Sequence, residues 1–280
     1  MLRTPSPRKQ DFWKNQPSAA GWDKLFLRIG HSGAAAHAPA NTLRSLALAL
    51  EIGVDMVEFD VRPCRDALVL LHNDELTQFS GSHRLASGTS LVDLRSLVPD
   101  PDSQIPTLVE ALDLLKGRTL LNIDLKAPGY EREVVELVRD KGMSGDVLYS
   151  SLYAASLAVL RQLDPGAKMG LSYPEDRGNA SGKPYMKPIV DTALAVMRFG
   201  LPYRILGMMA GARANAVMLY HKVISARVVR TVQNAGGRVY AWTVDTPERI
   251  RELQALRVNG IASNRPELFS MDDHALRSIP

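Results

Sequence analysis

Two histidines, three carboxylates and a lysine stand where short apolar runs give way to polar sequence. The segments are Arg28-Ile29-Gly30-His31-Ser32-Gly33, Val57-Glu58-Phe59-Asp60, Leu70-Leu71-His72-Asn73-Asp74 and Asn122-Ile123-Asp124-Leu125-Lys126. If the runs are strands, alternate side chains share a face, which pairs Glu58 with Asp60 and groups Asn122, Asp124 and Lys126. Two carboxylates on one face repel unless a cation lies between them. Oxygen-only donors favour Mg²⁺ or Ca²⁺ over softer metals, and Asp124 can complete the set from a second strand. An ion-pair cluster without metal, for instance Glu58 with Lys126, is the alternative. A lone histidine at a strand end has too many structural uses to signal catalysis. Two beside a carboxylate cluster can divide acid and base work around a phosphoryl or acyl centre. His37 reads as a solvated loop residue, and His83, His221 and His274 have no recognisable context.

These residues must be positioned by the elements around them. From Leu25 onward, Val-, Ile- and Leu-rich runs at 25–30, 54–61, 68–72, 119–125, 146–150, 167–171, 216–220, 238–244 and 259–262 read as strands. Helix-period segments lie at 42–51, 107–116, 130–141, 154–163, 187–199, 225–235 and 247–256. Asn41 or Thr42 can cap the first helix, and Thr246-Pro247-Glu248 is a start signal for the last. Repeated strand–helix alternation means parallel pairing and a sheet covered on both faces. The number of units suits a closed (β/α)8 TIM barrel, with a doubly wound open sheet as competitor. Nine strands are one too many for the barrel. Residues 62–67 are too short for a helical crossover, so one of the two runs they join, or 259–262, is expected to be irregular. In a barrel, chemistry gathers at the C-terminal strand ends, where the polar residues above stand.

Composition bounds the partners. The 34 Lys+Arg against 30 Asp+Glu give +4. Residues 1–24 carry Arg3, Arg8, Lys9, Lys14 and Lys24 against Asp11 and Asp23, so most of the excess is a tail. That argues against nucleic acid as partner. Residues 1–24 are expected to be a loosely packed basic segment, and 25–280 one barrel domain. Between Asp191 and Asp245 there is no acidic residue, while Arg198, Arg204, Arg213, Lys222, Arg227, Arg230 and Arg238 fall there. This stretch is either a basic, apolar rim in peripheral contact with lipid or ordinary barrel helices with outward-snorkelling arginines. Cys64 is the only cysteine, so neither an intramolecular disulfide nor a thiolate zinc cage can form. The apolar run from Ile205 to Tyr220 is interrupted by Arg213 and is too short to span a membrane. Without a secretory h-region at the N-terminus, the expected location is cytoplasmic. Nothing in the sequence sets the oligomeric state.

In these residues the chain resembles the glycerophosphodiester phosphodiesterases. The family pattern runs His-Arg-Gly, Pro-Glu-Asn-Thr, Glu-x-Asp, His-Asp, Glu-x-Lys, Trp-Thr-Val-Asn and Gly-Ile-x-Thr-Asp-Arg-Pro. The chain has, in the same order, His31-Ser32-Gly33, Pro39-Ala40-Asn41-Thr42, Glu58-Phe59-Asp60, His72-Asn73, Asp124-Leu125-Lys126, Trp242-Thr243-Val244-Asp245 and Gly260-Ile261-Ala262-Ser263-Asn264-Arg265-Pro266, with the landmark Ile105-Pro106-Thr107-Leu108 between. The resemblance covers about residues 26–269. It implies a (β/α)8 barrel of the phosphatidylinositol-phospholipase-C-like phosphodiesterase type, with one Mg²⁺ or Ca²⁺. Glu58, Asp60 and Asp124 would be metal ligands and His31 and His72 the acid–base pair. Lys126 would hold the phosphate of a small-molecule phosphodiester, and Trp242 would line the pocket. The reaction would release glycerol 3-phosphate and an alcohol through a cyclic phosphate, formed by attack of a neighbouring glycerol hydroxyl and opened by water.

Departures cluster at the same motifs. Ser32 replaces the family arginine and with it a bidentate phosphate fork. Ala40 and Asn73 replace acids, Asp124 is one methylene shorter than Glu, and Ser263-Asn264 replaces Thr-Asp. An active enzyme with a rebuilt phosphate clamp is the favoured reading, because both histidines and all three carboxylates are kept. A noncatalytic binder of anionic phosphodiesters and a lysophospholipase D-type enzyme on lipid substrates are the alternatives.

Overall fold

Eight of the nine apolar runs pair in parallel and close on themselves. The computed structural model describes residues 21–80, 83–175 and 184–270. Most of the basic N-terminal segment, through residue 20, and His274 lie outside the described residues. The strands are β1 (Leu27–Gly30), β2 (Met56–Pro63), β3 (Leu68–Leu70), β4 (Leu120–Leu125), β5 (Val147–Ser151), β6 (Lys168–Tyr173), β7 (Ala216–Tyr220), β8 (Arg238–Trp242) and β9 (Gly260–Ser263). Their order is β1-β9-β8-β7-β6-β5-β4-β2, and β1 pairs again with β2, so the barrel has no free edge. All nine runs are therefore strands, and 259–262 supplies a full barrel strand rather than an irregular segment. The extra one is β3, which folds back antiparallel on the far end of β2, Leu70 opposite Val61. A hairpin needs no helical crossover, which is why the short 62–67 connection suffices.

The helices α1 (Leu43–Ile52), α2 (Thr77–Ser80), α3 (Leu91–Ser96), α4 (Leu108–Leu115), α5 (Glu131–Asp140), α6 (Ala154–Leu163), α7 (Lys187–Gly211), α8 (Ala226–Asn234) and α9 (Pro247–Ala255) fill the connections. Thr42 caps α1 by accepting the Ser45 N–H. Thr107 and Glu110 form a reciprocal capping box on α4. The helix expected over 187–199 continues through Gly200 and Pro202 to Gly211. An interior proline costs roughly 3 kcal/mol. Beyond Gly200, Leu201, Ile205 and Met209 are buried against the barrel, at about 1.5–3 kcal/mol each. Burial therefore outweighs the local helix breaker.

The barrel interior changes character along its axis. Its lower part is apolar, built from Leu27, Ile29, Met56, Leu120, Leu148, Ala216, Met218, Tyr240 and Ala262 with Trp22. One side-chain step toward the strand C-termini, the inward positions of β2, β4, β5 and β6 become Glu58, Asp60, Asn122, Asp124, Ser150 and Ser172, all buried. A second core between strands and helices fixes the register of these positions.

Packing begins before the expected domain start at residue 25. Trp22 is 1% exposed, donates its Nε1–H to Gly145 O at 2.8 Å, and lies 4.3 Å beneath the Lys168 ammonium. It closes the barrel floor. Burial pushes Lys168 down to about 8, despite the opposing charge of Asp146. Trp22→Ala is expected to lower stability by about 3–5 kcal/mol, read as an earlier midpoint in denaturant unfolding of the full chain.

Candidate active site

The polar layer is a consequence of register. Parallel pairing sets Asp60 opposite Asp124, and Glu58 opposite Asn122. On the other side of β4, Asp124 stands opposite Ser150. Lys126, two residues past Asp124, turns into the same space. Its Nζ lies 2.8 Å from Asp60 Oδ1 and 2.6 Å from Asp124 Oδ2. Asp124 Oδ1 accepts from Ser150 Oγ at 2.5 Å and from Ser172 Oγ at 3.3 Å. The pairing of Lys126 is with the two aspartates rather than with Glu58.

The loop after β1 supplies a second wall. Ser32 and Asn41 adopt left-handed conformations, with φ of 47° and 61°. The Ser32 N–H thereby reaches Glu58 Oε2 at 2.8 Å. Asn41 grips Asp60 twice: its Nδ2 donates to Asp60 Oδ2 at 2.8 Å, and its Oδ1 accepts the Asp60 N–H at 2.9 Å. Gly33 has φ of +84°, and a Cβ there would meet Ser45 at 2.5 Å. The Gly of His-x-Gly thus lets this loop lie on α1. In the sequence Asn41 is a cap candidate and a member of the Pro39-Ala40-Asn41-Thr42 motif, without a role at the site. Thr42 takes the cap, which frees Asn41 for the site.

His31 is oriented from outside. Asn264 donates its Nδ2–H to Asp245 Oδ2 at 2.7 Å, and its backbone N–H goes to Asp245 Oδ1 at 2.8 Å. Asn264 Oδ1 therefore faces His31 Nδ1, at 2.8 Å, and the imidazole must donate from Nδ1. In the neutral ring, Nε2 then carries the lone pair. That atom points into the site, 3.3 Å from Thr243 Oγ1 and 3.9 Å from Glu58 Oε2. Neither Asp245 nor Asn264 was singled out as a site residue from sequence. The resemblance pattern held the signal, since it has Asn and Asp where this chain has Asp245 and Asn264.

His72 arrives by a different route. It does not follow a barrel strand, as its motif suggested, but the return leg of the β2–β3 hairpin. Leu71 N–H donates to Asp60 O at 3.1 Å, and Arg62 Nε holds His72 O at 2.7 Å, so the arm returns to the level of Asp60. The His72 ring is exposed, with Nδ1 2.8 Å from Asn73 Oδ1. Trp242 stands at the end of β8, its ring centroid 5.6 Å from that of Tyr220. His37 pairs with Glu267 at 2.8 Å in the loop.

Electrostatically the cluster is lopsided, with three buried carboxylates against one ammonium. Burial and then the neighbouring Asp60 charge push Glu58 well above the usual glutamate range, although Lys126 opposes them. Burial would raise Asp60 too, but the Lys126 charge and that of His72 hold it well below the usual range. Burial works against the Lys126 ammonium, and Asp124, Asp60 and Glu58 more than restore it. Among the described residues, no group of three or more His, Cys, Asp or Glu converges on one metal position. The donor chemistry still fits a hard divalent cation. Its donors are oxygens, its carboxylates exceed its cations, and Glu58 is the group such an ion would allow to ionise.

Comparison with known proteins gives a consistent picture. Residues 31–268 match the Glycerophosphoryl diester phosphodiesterase family. A glycerophosphodiester phosphodiesterase of Caldanaerobacter subterraneus subsp. tengcongensis is 24% identical over 86% of this chain and 95% of its own length. An Oleispira antarctica phosphodiesterase, solved with its product sn-glycerol-3-phosphate, superposes with a TM-score of 0.71 at 21% identity, covering 94% of this chain and 99% of that one. A glycerophosphodiester phosphodiesterase structure from Parabacteroides distasonis gives a TM-score of 0.70 at 20% identity, over 91% and 99%. At these identities the structural likenesses establish the barrel fold.

The His31 contact can be checked without the reaction. With Asn264 Oδ1 as its acceptor, the His31 Nδ1–H should be protected from exchange and visible downfield in the proton NMR spectrum of the parent, and Asn264→Leu should remove that signal because the acceptor is gone. A signal that persists in the variant would break the assigned contact.

Proposed function

The chain belongs to the glycerophosphoryl diester phosphodiesterase family, and on that premise we propose that it cleaves glycerophosphodiesters with a divalent ion and a histidine pair. The observation that carries the metal dependence is the charge of the cluster. A phosphodiester is an anion, and Glu58, Asp60 and Asp124 with Lys126 alone would repel it. Glu58, Asp60 and Asp124 would hold Mg²⁺ or Ca²⁺, which supplies Lewis-acid stabilisation of the charge developing on the nonbridging oxygens. Lys126 stabilises the same charge as a second cation. Ser32 offers no guanidinium fork, so this chain leans on Lys126 where the family pattern adds an arginine.

His31 Nε2, with its lone pair aimed inward, takes the proton from the attacking glycerol hydroxyl. The new P–O bond forms as the bond to the alcohol breaks, and His72 gives the departing alkoxide its proton. Water then opens the cyclic phosphate with the two roles exchanged, leaving glycerol 3-phosphate. Trp242 bounds the pocket for the glycerol part. The small-molecule diester is the substrate class. The single cysteine, Cys64, suits a reducing compartment such as the cytoplasm. Among the described residues, no helix is long and apolar enough to cross a membrane.

One observation favours the second reading, a binder without turnover: Lys126 already bridges Asp60 and Asp124, so a metal must displace it from at least one oxygen. A panel of glycerophosphodiesters with and without EDTA separates the two. Turnover should require added Mg²⁺ or Ca²⁺, and His31→Ala or His72→Ala should each lower kcat about 10²–10⁴-fold. Turnover that survives chelation and both substitutions would overturn the site assignment. Metal binding without turnover would select the second reading. Independently of rate, the metal should raise the Tm of the parent, and Asp60→Asn should abolish that gain.

A further inference from the structure

We propose that the outer face of α7 is a docking surface for an anionic lipid membrane, a role beyond the hydrolytic reading above. α7 buries one apolar stripe, Leu194, Leu201, Ile205 and Met209, against the barrel. It carries a second stripe facing away. Ile189, Val196, Phe199 and Tyr203 are 62%, 68%, 78% and 64% exposed, and Leu206 is 42% exposed. Their spacings of seven, three, four and three residues keep them on one face. Ordinary barrel helices with snorkelling arginines would present polar residues there. A helix apolar on both sides has an unmet partner.

Charge selects the partner. The flanking helices α6 and α8 contain no acidic residue. Among the described residues, the exposed charges on α7, just past its end and on α8 are Lys187, Arg198, Arg204, Arg213, Arg227 and Arg230, with Lys222 beside them and the acidic Asp191, and Asp191 is paired with Lys222 at 2.9 Å. Arg227 stacks on Tyr203, 4.2 Å from its ring centroid, so cation and apolar stripe share one edge. Arg238 of the acid-free stretch plays no part. Arg238 is buried at the barrel floor, where its guanidinium meets Trp22 O at 2.5 Å. A second copy of this chain would bring like charges together along the whole seam. Anionic headgroups would meet the arginines while the acyl boundary receives Phe199 and Val196.

The surface adjoins the barrel mouth. Asp191 and Arg198 line a cleft of about 370 Å³ with His221, Lys222 and Arg249. His221 follows β7 directly, and its ring packs on Tyr220, the neighbour of Trp242. Burial, with Arg249 and Lys222 beside it, pushes His221 down to about 4, so the cleft's positive charge comes from its arginines and lysine. A membrane on α7 would therefore hold the mouth close to the headgroup layer.

The test is co-sedimentation of the full chain with phosphatidylcholine vesicles, with and without phosphatidylglycerol, at low and high salt. The parent should bind the anionic vesicles roughly tenfold or more better than neutral ones, with the difference shrinking in salt. Val196→Asp/Phe199→Asp and Arg198→Glu/Arg204→Glu should each lose that binding, while retaining the parent's Tm and its rate on a soluble glycerophosphodiester. Absent or lipid-indifferent binding by the parent, or parent-like binding by both variants, would overturn the proposal. So would light scattering that finds a parent dimer dissociated by the aspartate pair, because a second copy would then cover the face. A parent without turnover leaves the vesicle result readable and bears only on the hydrolytic reading.

Discussion

Three carboxylates buried around one ammonium are the condition that the rest of the site answers to. Asp60 and Asp124 are neighbours because β2 and β4 pair in one register, and Glu58 is two residues below Asp60 on the same face. Lys126 satisfies two of the three. Glu58 is left with the Ser32 N–H and a protonation state forced upward by burial and by Asp60. Burying unequal charge is costly, so the surrounding polar groups are placed to lessen it. Asn41 clamps Asp60, Ser150 and Ser172 bond Asp124, and the strained turn at Ser32 aims a backbone N–H inward. A cation at this position would offset the remaining imbalance, and a phosphodiester would then find an attractive field.

The barrel was legible because burial on both faces writes strands as continuous apolar runs and amphipathic helices between them. Two features escaped. The short 62–67 connection excluded a helical crossover between β2 and β3, but the antiparallel return of β3 was not read from it. Periodicity carries no direction. The second was the length of α7. Gly200 and Pro202 are local stop signals, and local signals end helices when nothing nonlocal opposes them. Here Leu201, Ile205 and Met209 continue the buried stripe past the proline, and that packing exists only once the barrel has formed.

The site was legible to the extent that its residues carry their own chemistry. His31, Glu58, Asp60, Asp124 and Lys126 do come together, because alternation along a strand is a sufficient rule for placing them. Residues that act through others were not visible in this way. Asn41 reads as a helix cap or a motif residue, and nothing in the sequence singles out Ser150 or Ser172. Asn264 is one of the departures from the resemblance pattern, and Asp245 stands where that pattern has Asn. The two are bonded to each other, so an amide meets the imidazole with the carboxylate held behind it.

The same distinction between sum and placement governs the surface. A net charge of +4 describes no part of this molecule. Three acids are buried inside the mouth at the ends of β2 and β4, while α6 and α8 contain none and Asp191 is the one acid on α7. Arg238, counted with the basic stretch in sequence, faces the barrel floor and contributes nothing to that wall. What remains outside is a set of arginines and lysines flanking apolar side chains that the fold itself leaves uncovered. Repulsion among those cations costs little while they face water and salt. It would become expensive against another copy of the same face and favourable against an anionic one. The charge arrangement therefore separates partners that the apolar stripe alone would admit equally.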